Sequence, residues 1–267
     1  MFNNLINKTL YEKRVFLIGW SLGLILMAGI TVAFYPTIKG QIGQLFENVP
    51  KALQSVTGTP EDYKSISGYV GTGVFDLRIP MLTLTMSIIL ALGLSVGEET
   101  SGKMYQLLAQ PISRRAIVLQ KWLAMIIILA LSHALLLVGI EAVIKSIHES
   151  MPIAPLINAS VMLFLLSLSI GSLTTFLGFG WGRKGLATLL ITAYTFGSYL
   201  LTSFALQIEW LKYIEPFSLF HYYKASEVIK LGYNPRHVAV LILISLLSVF
   251  FGALLFNNRD IGIHSAS

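Results

Sequence analysis

The sequence predicts an all-α integral membrane protein with six transmembrane helices, and three observations carry that prediction. Six stretches, 15–35, 79–96, 116–140, 153–181, 186–206 and 238–256, are apolar over the length needed, since about 20 mostly apolar residues span roughly 30 Å of hydrocarbon. Only 12% of the 267 residues are charged while 55% are hydrophobic, and the mean hydropathy is +0.73; a water-exposed globular surface carries about twice that charge. Strict alternation is absent and the runs exceed the length of barrel strands, so backbone groups in the membrane are satisfied within helices. This composition excludes a soluble enzyme, a disordered tail and a nucleic-acid module, although the isoelectric point lies near 9.4. No polar stretch is long enough for a soluble domain, so 1–267 reads as a single transmembrane domain.

Taken in order, the N-terminal segment sets Phe2, Leu5, Ile6, Thr9 and Leu10 on one helical face and Lys8, Lys13 and Arg14 elsewhere. That pattern predicts an amphipathic helix along the inner leaflet. The first span follows basic residues, but its apolar core is too long for a signal peptide and no small-x-small cleavage site precedes Tyr35-Pro36; an uncleaved anchor is expected. In the loop 36–77, Ile38, Ile42, Leu45, Phe46, Val49 and Leu53 recur at three- and four-residue steps, which predicts a further amphipathic helix, either a lid or a gate. The last loop, 207–236, carries Trp210, Tyr213, Phe217, Phe220, Tyr222, Tyr223 and Tyr233. These aromatics suit an interfacial belt, or short re-entrant helices forming an external gate.

Charge fixes the orientation. With both termini cytoplasmic, the inside segments hold ten cations (Lys8, Lys13, Arg14, Lys103, Arg114, Arg115, Lys121, Arg183, Lys184, Arg259) and four acids, while the outside holds nine of each. The whole excess of +6 then lies inside, as the preference for Lys and Arg in short cytoplasmic loops requires.

The most informative stretch joins the second and third spans and reads GEETSGKMYQLLAQPISRRAIVLQK over 97–121. Met104, Leu107 and Leu108 form the apolar edge of a short helix stopping near Pro111, and Ser113 is placed to cap the next helix. A cytoplasmic helix held between two spans suits docking to another protein; the alternative is a solvated connection whose cations only fix topology.

Soluble-type chemistry is sparse. Cys is absent, which removes disulfides, thiolate nucleophiles and Cys-based metal sites. Gly97 to Lys103 matches the GxxxxGK of a phosphate loop, but Met104 follows instead of Ser or Thr, and Glu98 and Glu99 would repel phosphate. Neither a catalytic group nor a metal site is expected in this chain, because the five histidines show no ligand spacing. His133 within span three is ionisable, yet no nucleophile motif accompanies it; a bond to a neighbouring helix is preferred over an intramembrane enzyme. Glu141, near the end of span three, is the one acid expected within a span, which argues against a proton- or sodium-coupled transporter. Hydroxyls are plentiful. Thr188, Thr192, Thr195, Tyr199 and Thr202 form one stripe on span five, Thr83 and Ser87 lie on span two, and GxxxG spacing occurs at Gly19/Gly23 and Gly93/Gly97. Helix packing explains most such stripes; the functional reading makes Thr83, Ser87 and the span-five set the wall of a translocation path.

These features together resemble the type-2 ATP-binding-cassette (ABC) permease family. The resemblance is carried by Glu98 and Glu99, Gly102, Leu107-Leu108, Pro111-Ile112-Ser113-Arg114 and Lys121, with a closing Phe256…Arg259-Asp260; Gln110 departs from the Thr or Ser common before that Pro. The resemblance implies a type V exporter-like fold and a permease subunit in a bacterial cytoplasmic membrane, contacting membrane lipid and paired with a second permease chain. It also implies separate cytoplasmic ABC ATPase subunits that hold ATP and Mg, with no cofactor bound by this chain. Within that pattern the 98–121 loop holds the coupling helix, with Glu98, Glu99, Tyr105, Leu107, Leu108, Arg114 and Arg115 as coupling residues. The external gate would include Trp210, Tyr213, Phe217 and Phe220. Family members are mostly exporters of drugs, antimicrobial peptides, lipids or polysaccharides. A membrane immunity or scaffold protein is the rival reading.

Overall fold

The computed structural model describes residues 4–42, 59–205 and 207–260. Its helices in chain order are α1 (Leu5–Glu12), α2 (Arg14–Ala33), α3 (Tyr35–Lys39), α4 (Ile66–Tyr69), α5 (Arg78–Leu94), α6 (Val96–Thr100), α7 (Lys103–Leu108), α8 (Arg114–Ser146), α9 (Ile153–Trp181), α10 (Lys184–Phe204), α11 (Leu211–Ile214), α12 (Ala225–Leu231) and α13 (Pro235–Asn258). Six helical segments are long and apolar enough to cross a membrane: Arg14–Lys39, Ile66–Leu94, Arg114–Ser146, Ile153–Trp181, Lys184–Phe204 and Pro235–Asn258. The predicted amphipathic helix after Tyr35 falls mostly outside the described residues.

Two boundaries differ from the expected ones for physical reasons. The second span begins at Ile66, well before residue 79, because α4 continues through a π-helical stretch, Val70–Asp76, into α5. Gly71, Thr72, Gly73 and Asp76 dilute its apolar signal. The consequence is a correction: Asp76, and not Glu141 alone, is an acid within a spanning segment. The third span extends to Ser146 because Glu141 and Lys145, an i,i+4 pair at 3.1 Å, support the helix beyond the apolar stretch. At 33 residues α8 is about 50 Å long.

α9 is the centre of the bundle, packed by α5, α8, α10, α12 and α13. It is joined to them by hydroxyls, which apolar surfaces cannot replace where water is excluded. Ser87 donates to the Ser167 carbonyl at 2.7 Å, Ser169 to the Leu241 carbonyl at 2.9 Å, and Trp122 Nε1 to Ser172 Oγ at 2.8 Å. Gly171 permits the close α5–α9–α8 approach. A Cβ there would collide with Ser87 Oγ and lie 3.0 Å from Met125 Sδ. Gly171→Ala is therefore expected to cost about 1–3 kcal/mol through overpacking. Apparent Tm values of the detergent-purified single and double variants check this: Ser87→Ala should relieve part of the cost, and strictly additive effects would place the strain elsewhere.

The first and last described helices, α1 and α13, meet at one end of the bundle, here the terminal face. Asn4 caps α1, whose Leu5 and Thr9 are buried, and the Leu5 N–H donates to Gln120 Oε1 at 3.0 Å. The opposite, distal face is built from α4, the π-helical stretch, α11, α12 and two 3-10 turns, Glu215–Phe217 and Leu219–Tyr222.

Candidate functional site: the terminal-face loop

The segment after α5 is held in place by charge. α5 breaks at Ser95, whose hydroxyl donates to the Ala91 carbonyl at 2.7 Å, and α6 then presents two adjacent carboxylates. Glu98 turns inward to Lys121 of α8 at 2.5 Å, with both side chains almost wholly buried. Glu99 pairs with Arg259 beyond α13. Gly102, at φ +77°, supplies the left-handed turn into α7. Ser113 caps α8 by accepting from the Ala116 N–H, as its position after Pro111 predicts. Arg114 donates to the Phe256 carbonyl at 3.1 Å and the Arg259 carbonyl at 2.6 Å.

Beneath these polar ties lies a separate apolar cluster of Leu5, Met104, Leu107, Ile117, Val118, Phe179, Val249, Ala253 and Phe256. Phe179 and Phe256 meet edge to face at 4.9 Å. The loop thus packs as a lid on helices α1, α8, α9 and α13.

The proposed coupling residues differ in what they touch. Glu98, Glu99 and Arg114 face their own chain, and Leu107 is buried at 4% exposure; Tyr105 and Leu108 are half-buried. Lys103, Gln106 and Arg115 are among the exposed residues of this loop. Sequence reasoning missed Arg259 as the partner of Glu99, because 160 residues separate them.

The remaining candidates are dispersed. Thr83 and Ser87 are buried within the bundle; the Thr83 hydroxyl donates to the Pro80 carbonyl of its own helix, and the Ser87 hydroxyl crosses to the Ser167 carbonyl of α9. On α10, Thr188 is half-buried and Thr192 exposed, Thr195 is buried with its hydroxyl on the Ile191 carbonyl, and Thr202 shares a hydrogen bond with Ser218 at 2.7 Å. α10 as a whole is the least enclosed span, buried over 22% of its most apolar stretch against 61% for α9. At the distal face Trp210, Tyr213 and Phe217 are 64%, 84% and 78% exposed, whereas Phe220 is buried; the aromatic set splits into a surface group and a packed one. His133 lies between α8 and α9, Nδ1 at 2.8 Å from the Leu129 carbonyl and Nε2 facing Ser167 Oγ at 3.5 Å, a helix-bonding position.

A family model described as ABC-2 family transporter protein matches residues 4–261. That match takes in the anchored loop, all six spans and the clamp at Arg259. The chain belongs to the ABC-2 transporter family. No curated protein matches it. Family membership makes the chain a multi-pass membrane permease subunit of an ABC transporter, a transport component associated with a separate ATPase subunit.

Proposed function

We propose that this permease is the membrane subunit of an ATP-driven exporter in a bacterial cytoplasmic membrane, with both termini cytoplasmic. The observation that carries the reading is the lid itself: α6 and α7 are fixed to the bundle through Glu98–Lys121, Glu99–Arg259 and Arg114. A push on its outer surface therefore moves α8 and α13 as a unit. ATP and Mg belong to the partner ATPase in this reading. Closure of an ATPase pair presses on Lys103, Gln106 and Arg115, and the spans rearrange. A second permease chain covers the open surfaces of α2 and α10, where Cβ atoms at Gly19, Gly23 and Gly197 would meet nothing within 4 Å. The cargo is amphipathic or hydrophobic, as an apolar wall interrupted by hydroxyls suits, and the exposed distal aromatics act as an external gate.

The experiment is co-purification of the tagged chain from its native membrane in mild detergent. The wild type should bring down an ATPase. Lys103→Glu/Gln106→Glu/Arg115→Glu should lose it while remaining monodisperse, because none of the three side chains is buried. An ATPase retained by the triple variant would place the contact elsewhere; none with the wild type would favour a scaffold or immunity role.

A further inference from the structure

At the distal face a cavity of about 120 Å³ lies between α10, the π-helical stretch and the loop leading to α12. Its lining includes Asp76, Glu215, Glu227 and Lys224, the aromatic rings of Tyr199, Phe220 and Tyr223, and the hydroxyls of Thr202, Ser203 and Ser226. We propose that this cavity binds an organic ammonium group, with Asp76 as counter-ion and Tyr199, Phe220 and Tyr223 as its aromatic wall.

Charge accounting around the cavity points to a missing cation. Three carboxylates face one ammonium. Lys224 lies 3.3 Å from Glu215 and 3.9 Å from Glu227, and Glu215 is also 3.0 Å from His221. Burial works against the Glu215 charge, but the bonds from His221 and Lys224 outweigh it and hold that carboxyl below its ordinary range. Lys230, the next cation, is committed to Asp62 at 2.6 Å. Asp76 alone is left with no hydrogen bond or ion pair among the described residues, although it sits in a spanning segment and opens on the cavity. A carboxylate withdrawn from water and left unpaired is costly, and a ligand cation removes that cost.

The rest of the lining selects the kind of cation. Among the described residues no three acidic, His or Cys side chains converge as metal ligands do, and a hard cation takes six or more oxygens. Aromatic faces instead attract alkylammonium groups. Phe220 stands edge-on between Tyr199 at 5.4 Å and Tyr223 at 6.4 Å. The Tyr223 hydroxyl is fixed by donation to the Phe75 carbonyl at 2.8 Å, which anchors this residue in the cavity lining. The volume takes an amine headgroup, and the apolar remainder of an amphiphile would lie along α10, where Phe196 and Leu200 are exposed.

Binding at this site is independent of export; that the bound amine is part of the cargo rests on the exporter reading. The test therefore uses the full chain in lipid nanodiscs without an ATPase, titrated with benzylammonium by calorimetry. Saturable binding is expected, with affinity reduced roughly tenfold or more by Asp76→Asn and several-fold by Tyr199→Leu. Ser203→Phe, which fills the cavity and leaves the carboxylate intact, should abolish it, and this variant decides the matter if Asp76→Asn does not fold. Neutral benzyl alcohol and Ca²⁺ should neither bind there nor compete. Equal binding of benzyl alcohol, displacement by Ca²⁺, unchanged affinity in Asp76→Asn or Ser203→Phe, or no saturable benzylammonium binding would each overturn the proposal. Failure of transport with intact amine binding would count against the exporter reading alone.

Discussion

Lys121→Met is expected to destabilise the chain by about 3–5 kcal/mol, because it strands the buried Glu98 carboxylate without its ion-pair partner. Glu98 and Lys121 are 7% and 3% exposed at their side chains, and Glu98 Oε2 already has no hydrogen-bond partner. Removing the ammonium leaves both oxygens unpaired beneath α6. In the detergent-purified protein this should appear as a fall of roughly 6–20 °C in apparent Tm, taking about 2–4 °C per kcal/mol. The double replacement Glu98→Gln/Lys121→Met removes both charges and should recover most of the loss, since burying an ion pair gains little over burying neutral groups of similar volume. The pair is thus a device for fixing position: it holds the α5–α6 break against α8. A Lys121→Met protein as stable as wild type would mean that Glu98 escapes to solvent and that the lid is loosely attached.

The spans were legible because each is a long apolar stretch, and membrane thickness alone sets the length to look for. The second span was misjudged at its start for the same reason. Gly71, Gly73 and Asp76 lower the apolar signal just where a π-helical stretch keeps the backbone hydrogen-bonded, and the Asp76 cavity was lost with it. At the terminal face the sequence offers Glu98 and Glu99 as charges suited to docking, and Lys121 and Arg259 as cations that fix topology. Their pairing is not written in local spacing: Glu98 meets Lys121 across 23 residues and Glu99 meets Arg259 across 160. Charges that look available for a partner in one dimension are consumed within the chain in three. The Ser113 cap, by contrast, depends only on residues 113–116 and was readable. The hydroxyl stripes show both outcomes. Ser87 bonds across to α9 and Thr83 within its own helix, while Thr202 lines the distal cavity.

Leu107→Asp is expected to prevent accumulation of a folded chain, whereas Leu108→Asp should leave it intact. The two leucines are adjacent in a six-residue helix, too short for periodicity to reveal which one faces inward. Leu107 is 4% exposed and packs in the cluster with Met104, Phe179 and Phe256, while Leu108 packs only against its margin. The substitution at 107 forfeits about 1.5–3 kcal/mol of burial and places an unpaired carboxylate among apolar rings at a further cost of several kcal/mol. Together these approach the entire stability of an ordinary domain, about 5–15 kcal/mol. Size-exclusion profiles of the solubilised protein separate the cases: the 107 variant should aggregate or disappear, and the 108 variant should elute as wild type. A monodisperse Leu107→Asp chain with unchanged apparent Tm would show that α7 is not sealed to the bundle. The same asymmetry decides how coupling is to be probed. A double Leu107/Leu108 change confounds folding with ATPase contact, so the outward residues Lys103, Gln106 and Arg115, which support no core, are the positions at which a loss of coupling can be read without a loss of fold.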